Sequence, residues 1–395
     1  MKKRFLFFIL GFLVVGGLAP ARAAAPHSDW PSLNYDAAQS NYNSAETTLT
    51  ARNVLKLKVK WTAAIADVSY PVVANGRIYL PIVAGHKIHV RVLDAVSGMP
   101  LGNIAKDALG GLLVDNGSLY LAGYSLQQIN PTTDQRTAQI APPATLHGGV
   151  FLNPVADQKI ILVGYSSSAR VPGARLFTID PASNQVLRTL PSTDGAGTID
   201  GSGRIFTETT GGSAFYDETS GRIVARQPDL RSKWFVGDTL AYTVASVKRK
   251  NAILYAFDGA GHHAWSHTVG PPLGAIDWPH AVSPSAVYVQ IFRPQPGIQA
   301  LSPTNGHVLW TRRIPDISAL TLADGVLYAL TYSLGQPVRL IALHAGTGAS
   351  IGAIVLSLGY YAFNAANSLM VANGEVFIRA VGPGGSKLVA LELPG

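Results

Sequence analysis

The sequence predicts an all-β protein, an eight-bladed β-propeller whose four-stranded antiparallel blades close into a ring. Three observations carry that prediction. Gly (40) and Pro (25) are abundant in the 395 residues and separate many short apolar runs, as in sandwiches and propellers. Charged side chains make up 14% of the chain, well under the ~25% of an average globular domain. Above all, one structural unit recurs at a blade-sized period.

The first element lies outside that unit. Lys2, Lys3 and Arg4 precede Phe5 to Leu18, a run of 14 residues without a charge, followed by Pro20 and Ala21-Arg22-Ala23-Ala24-Ala25. A basic start, a short apolar core and an A-x-A exit read as a signal peptide over 1–25, since a membrane-spanning helix needs about 20 apolar residues. There is no Cys, so no thiol is available for a lipid anchor, a disulfide, a thiolate metal site or a cysteine nucleophile. Residues 26–395 are then a single propeller domain, secreted or periplasmic, with no stable membrane insertion once the leader is removed. Without the leader, 27 basic side chains face 23 acidic ones, a net of +4. That is too dilute for a nucleic-acid footprint, which needs clustered Lys and Arg.

The repeat is a strand, a Gly-containing turn, a strand ending in an apolar–polar pair, and a tight turn. The pairs are Leu93-Asp94, Ile129-Asn130, Ile179-Asp180, Tyr216-Asp217, Phe257-Asp258, Leu301-Ser302, Leu343-His344 and Leu391-Glu392, spaced by 36, 50, 37, 41, 44, 42 and 48 residues. Four antiparallel strands with short turns need about 40–50 residues, so eight pairs mean eight blades. In the turns, Asp94, Asp180, Asp217 and Asp258 are placed to accept from backbone N–H groups. Gly98, Gly221, Gly306 and Gly348 supply the positive φ that closes each turn. The eighth repeat ends at Leu391 without room for an outer strand. The strand 55–61, ending in Trp61, is expected to fill that place and lock the first strand against the last.

Stretches such as Ala300-Leu301-Ser302-Pro303-Thr304-Asn305-Gly306-His307-Val308-Leu309-Trp310 resemble the repeat of PQQ-dependent quinoproteins and their non-catalytic relatives. The segment from Trp30 through Asn34-Tyr35-Asp36 and Tyr42-Asn43 to Trp61 resembles their N-terminal approach, so the likeness spans the mature chain. It implies that Trp61, Trp265 and Trp310 are blade-docking residues, each wedged against the next blade with its indole N–H on a backbone acceptor. Elsewhere Gly102, Ala225 or Gly352 stands near the tryptophan's place, which implies either weaker docking or compensation by aliphatic packing. Catalytic quinoproteins also bind PQQ on the propeller axis beside Ca²⁺, with an acidic base and often a disulfide of adjacent cysteines. No residue here matches those roles by motif, and no acidic cluster stands at motif-like spacing.

Other candidates read as structure. His86 and His89 would point to opposite faces of a strand, and His262, His263 and His267 lie in and after a turn. Ser166-Ser167-Ser168 has no elbow motif, and Asn116-Gly117-Ser118 is turn chemistry rather than a glycosylation site. No catalytic, cofactor-binding or metal residue is assigned. Partner-facing loops are expected at Arg226 to Trp234, Ser246 to Asn251 and Arg293 to Gly297, with Arg231, Lys233, Trp234, Arg249 and Arg293 as their contact residues. The expected function is an exported, non-catalytic scaffold, monomeric, binding a protein or a glycan. The alternatives are a PQQ-dependent dehydrogenase with calcium, and a carbohydrate-binding propeller that would show aromatics and paired carboxylates on its loops.

Overall fold

A computed structural model describes residues 28–394, apart from 66–69, 85–86, 105–108, 144–145, 147–148, 158, 168–173, 229, 247–250, 272–278, 293–294, 332–336, 357–360, 363–367 and 383–384. The leader 1–25 therefore lies outside the described residues, and among them no helix is long and apolar enough to cross a membrane.

The chain forms eight antiparallel sheets in chain order, blades 1 to 8: 72–104, 111–140, 149–191, 198–227, 234–270, 280–313, 317–356 and 361–392 with 58–65. The first strand of each blade lies nearest the axis and the fourth is outermost. Blade 8 takes its outer strand, Lys58–Ile65, from the N-terminus, paired antiparallel with Gly385–Glu392. The closing strand thus starts later than the expected 55, because Val54–Lys56 is a 3₁₀ turn. It also runs four residues past Trp61. Lys60 bridges Glu375 and Glu392 at 2.7 Å each across this seam. At the junction of blades 8 and 1, Phe377, Leu388 and Ala390 bury against Ile78 and Leu80.

Each predicted apolar–polar pair falls at the end of a third strand, and the turn that follows has the expected chemistry. Asp94 Oδ1 accepts from Ser97 N at 2.7 Å and Asp217 Oδ1 from Ser220 N at 2.7 Å. Asp180 Oδ1 accepts from Ala182 N and Asp258 Oδ1 from Ala260 N, both at 2.9 Å. Gly98, Gly221, Gly306 and Gly348 close their turns at φ +68, +67, +70 and +67, where a Cβ is unfavourable. A second signal recurs one strand earlier, where Tyr79, Tyr120, Phe206, Tyr242, Tyr288, Tyr328 and Phe377 sit buried on the second strands of seven blades.

The tryptophans dock as the resemblance implies, and the glycines explain how. Trp61 of blade 8 lies against Gly98 of blade 1, Trp265 of blade 5 against Gly306 of blade 6, and Trp310 of blade 6 against Gly348 of blade 7. A Cβ on those glycines would stand 2.4, 2.5 and 2.5 Å from the ring atoms. The indole N–H groups donate to Ala95 O at 3.2 Å, Pro303 O at 2.8 Å and Ala345 O at 2.8 Å. A shift of register precedes or follows the same position in every outer strand, a bulge that aims this side chain at the neighbouring blade. Where tryptophan is missing the gap is filled differently. Arg188 lies along Gly221, Ala225 approaches Gly261, and Leu55 covers Gly352.

Candidate functional site: an axial funnel

Residues 28–43 coil around the axis as an inner collar. Backbone hydrogen bonds tie it to the first strands of blades 1 and 2 at Val73 and Val114, and to blades 4 to 7 at Ile199, Val236, Val282 and Leu322. Ser28 O accepts from Asn373 N of blade 8. Buried Asn43 donates to Ser28 O and Val371 O, and Glu46, 1% exposed, accepts from Ser28 Oγ and Gly374 N. The segment from Trp30 to Asn43 is thus structural: it ties seven of the eight blades to one strand of chain.

Four non-glycine residues of the collar, Asn34, Tyr35, Gln39 and Asn41, have φ of +51, +84, +58 and +51. Such left-handed backbone costs an L-residue roughly 1–2 kcal/mol and collects where function or close packing demands it. Three of the four (Asn34, Gln39 and Asn41) face a cavity of about 250 Å³ that the collar floors. Asp194, Thr198, Phe206, Glu208, Lys233, Phe235, His280, Ser318 and Ser368 contribute to its wall, with Asn153 from blade 3. The site is an axial funnel to whose lining blades 3 through 8 each contribute, from one residue (Asn153 of blade 3) to four (blade 4).

Its polar groups are held by local structure. Asp194 Oδ1 accepts from Ser192 Oγ and Ala196 N, each at 3.1 Å. Burial pushes its carboxyl above the usual range, offset only in part by those bonds and by Lys233. Glu208, on the second strand of blade 4, is raised first by burial and then by the charge of Asp194. His280 stacks on Phe235 with ring centroids 3.9 Å apart, and its Nε2 lies 2.8 Å from Gln39 O. Asn34 Nδ2 donates to Gln39 Oε1 at 2.9 Å. The wall thus offers carboxylates, amides, hydroxyls and a flat imidazole–phenyl stack within one concavity, a few convergent polar groups against apolar lining.

The residues picked from sequence fare unevenly. Trp234 is not on an exposed partner-facing loop but in a strand, among the residues that line the funnel. It is 4% exposed, packs on Phe206, Phe215 and Phe257, and its Nε1 donates to Ser213 Oγ. It belongs to the first strand of blade 5, Trp234–Val236, and first strands face the crowded axis. Arg231 is exposed and donates to Thr210 O at 2.7 Å. Lys233 is exposed on the funnel wall. Arg249 and Arg293 lie outside the described residues, as does His86. His262 is bonded to Asp258 at 2.9 Å and His267 to Gln299 at 2.8 Å. Asp194 and Glu208 were not singled out by sequence reasoning.

Neither a family model nor a curated relative matches the sequence. Solved structures do match in shape. The quinohemoprotein alcohol dehydrogenase from Comamonas testosteroni has a TM-score of 0.69 and 14% identity, over 94% of this chain and 82% of that one. A europium-containing methanol dehydrogenase has a TM-score of 0.62 and 12% identity, over 92% and 98%. BamB from Moraxella catarrhalis has a TM-score of 0.57 and 11% identity, over 85% and 99%. The fold is therefore that of the quinoprotein-type eight-bladed propeller, shared by dehydrogenases and by BamB alike. At these identities the likeness defines architecture only.

Proposed function

We propose that this chain is an exported, non-catalytic binding propeller, and that its axial funnel takes a small, uncharged, hydroxyl-rich ligand of the glycan class. The pairing of Asp194 and Glu208 with the collar amides carries the reading. Carboxylates and amides in one concavity accept from and donate to hydroxyl groups, and the Phe235–His280 stack offers an apolar face. Asp194 and Glu208 line one cavity on the axis, which supports a carbohydrate ligand there rather than at the outer loops.

The funnel does not suit the PQQ–calcium pair that the fold family would suggest. PQQ is a tricarboxylate, and the charged groups among the described wall residues are two carboxylates against one lysine. No three His, Cys, Asp or Glu side chains gather among the described residues to hold a metal ion. The export reading rests on the leader sequence.

Thermal-shift titration with neutral mono- and disaccharides, beside a parallel titration with PQQ and Ca²⁺ and a dye-reduction assay with alcohols, tests the reading. A saturable rise in Tm with a sugar and a flat response to PQQ is the expected result. Saturable stabilisation by PQQ with dye reduction overturns it.

A further inference from the structure

A second cleft lies between blades 3 and 4, separated from the funnel by residues 192–197 and the strand Arg204–Thr209. It encloses about 430 Å³, and its lining includes Arg175, Thr193, Thr210, Tyr216 and Arg226 but no acidic residue. Arg175 leads the third strand of blade 3 and is half-buried, its Nη1 donating only to the neighbouring Ala174 O at 3.1 Å. Arg226 stands on the outer strand of blade 4, near enough to Tyr216 for its charge to act on that phenol. Neither guanidinium joins an ion pair among the described residues, whereas Arg204 in the same blade is paired with Asp217 at 2.8 Å. Arg231 anchors the adjacent rim through Thr210 O. The acids of this region, Asp194 and Glu208, line the funnel on the other side of the shared wall.

Half-buried Arg175 and exposed Arg226 border one cleft whose lining holds no carboxylate, so a small anion that enters meets two guanidiniums and no acid. Guanidinium forks match planar or tetrahedral oxyanions through paired N–H···O bonds. We propose that the cleft between blades 3 and 4 binds a small oxyanion, a carboxylate, sulfate or phosphate group, held by Arg175 and Arg226. This site is independent of the funnel and stands or falls without the ligand proposed there.

The test is calorimetric titration of the full mature chain with phosphate, sulfate and acetate, at ionic strength held constant with NaCl. Arg175→Gln, Arg226→Gln and Arg226→Lys are titrated alongside the wild type. Tm values for all four confirm that each is folded. The expected result is saturable binding to wild type, weakened at least tenfold in each Gln variant and partly restored in Arg226→Lys, where charge remains but the fork is lost. Preference among the three anions distinguishes a carboxylate ligand from a sulfate or phosphate one. Binding that is equal in wild type and the Gln variants, or heats that NaCl alone reproduces, overturns the proposal.

Discussion

Replacing Trp265 or Gly306 tests the docking device that joins neighbouring blades. Trp265 is 7% exposed and its Nε1 donates to Pro303 O at 2.8 Å. Trp265→Ala removes a buried indole, worth about 3–5 kcal/mol, and leaves the Pro303 carbonyl short of a donor, worth about 1 kcal/mol more. Gly306→Ala acts through two other causes. The backbone there has φ +70, costing an alanine roughly 1–2 kcal/mol. Its Cβ would stand 2.5 Å from the Trp265 ring, an overlap in the range of roughly 1–3 kcal/mol for overpacking. In the double variant the overlap vanishes with the indole while the backbone cost stays. The double-mutant cycle should therefore show the pair less damaging than the sum by about 1–3 kcal/mol. Guanidinium unfolding of the four proteins, with m-values compared to confirm a common transition, measures it. Additivity to within about 0.5 kcal/mol would mean that the ring and the turn do not bear on each other, and the docking account would fail.

Two further outcomes follow from the collar and the buried carboxylates. Deleting residues 26–62 removes both the collar and the outer strand of blade 8, and should abolish cooperative unfolding. A truncated protein that melts like the full one would refute ring closure by the N-terminus. Stability should also peak at mildly acid pH. Burial raises Asp36 to about 6 and raises Asp115, Asp194, Glu208, Glu218 and Glu375 in the same direction. A group raised in the folded state contributes stability that is complete below its unfolded pKa and is lost as pH climbs through the folded value. For Asp36 the step from 3.8 to about 6 corresponds to about 3 kcal/mol by neutral pH. Asp94, Asp180 and Asp217 are lowered, chiefly by hydrogen bonds from the Ser97, Ser183 and Ser220 hydroxyls, so their contribution is lost as pH falls below the ordinary carboxylate range. Tm should then be highest near pH 4, about where carboxylates titrate in the unfolded chain, and Asp36→Asn should flatten its decline above that. A Tm that rises steadily from pH 5 to about 8 would contradict these assignments.

What was legible in the sequence is what is local. The apolar–polar pair that closes each third strand is read locally, with a Gly four residues on in four blades (Gly98, Gly221, Gly306 and Gly348), so the count of blades follows from spacing alone. Trp265 and Trp310 are legible for the same reason, standing seven and eight residues after Asp258 and Ser302; Trp61 is legible only from its place at the end of the N-terminal strand. The closing strand was misplaced because its start is set by a 3₁₀ turn at Val54–Lys56, which no alternation marks. Trp234 was misread because its strand has three residues, too few to show a period, and Arg231 and Lys233 beside it look like loop. The funnel was least legible. Asp194 and Glu208 are 14 residues apart in the chain and are brought together by a blade connection and a second strand. A site whose lining is spread over six blades leaves no motif in any one of them.

The central claim is that the axis is a binding site whose character is set by Asp194 and Glu208. Calorimetric titration of the strongest-stabilising neutral sugar into wild type and into the Asp194→Asn, Glu208→Gln double variant tests it most directly. The account predicts one saturable site in wild type and at least tenfold weaker binding in the variant, a loss of about 1.4 kcal/mol or more, with Tm preserved. Equal affinity in both proteins, or no saturable binding by any neutral hydroxylated ligand, would contradict it.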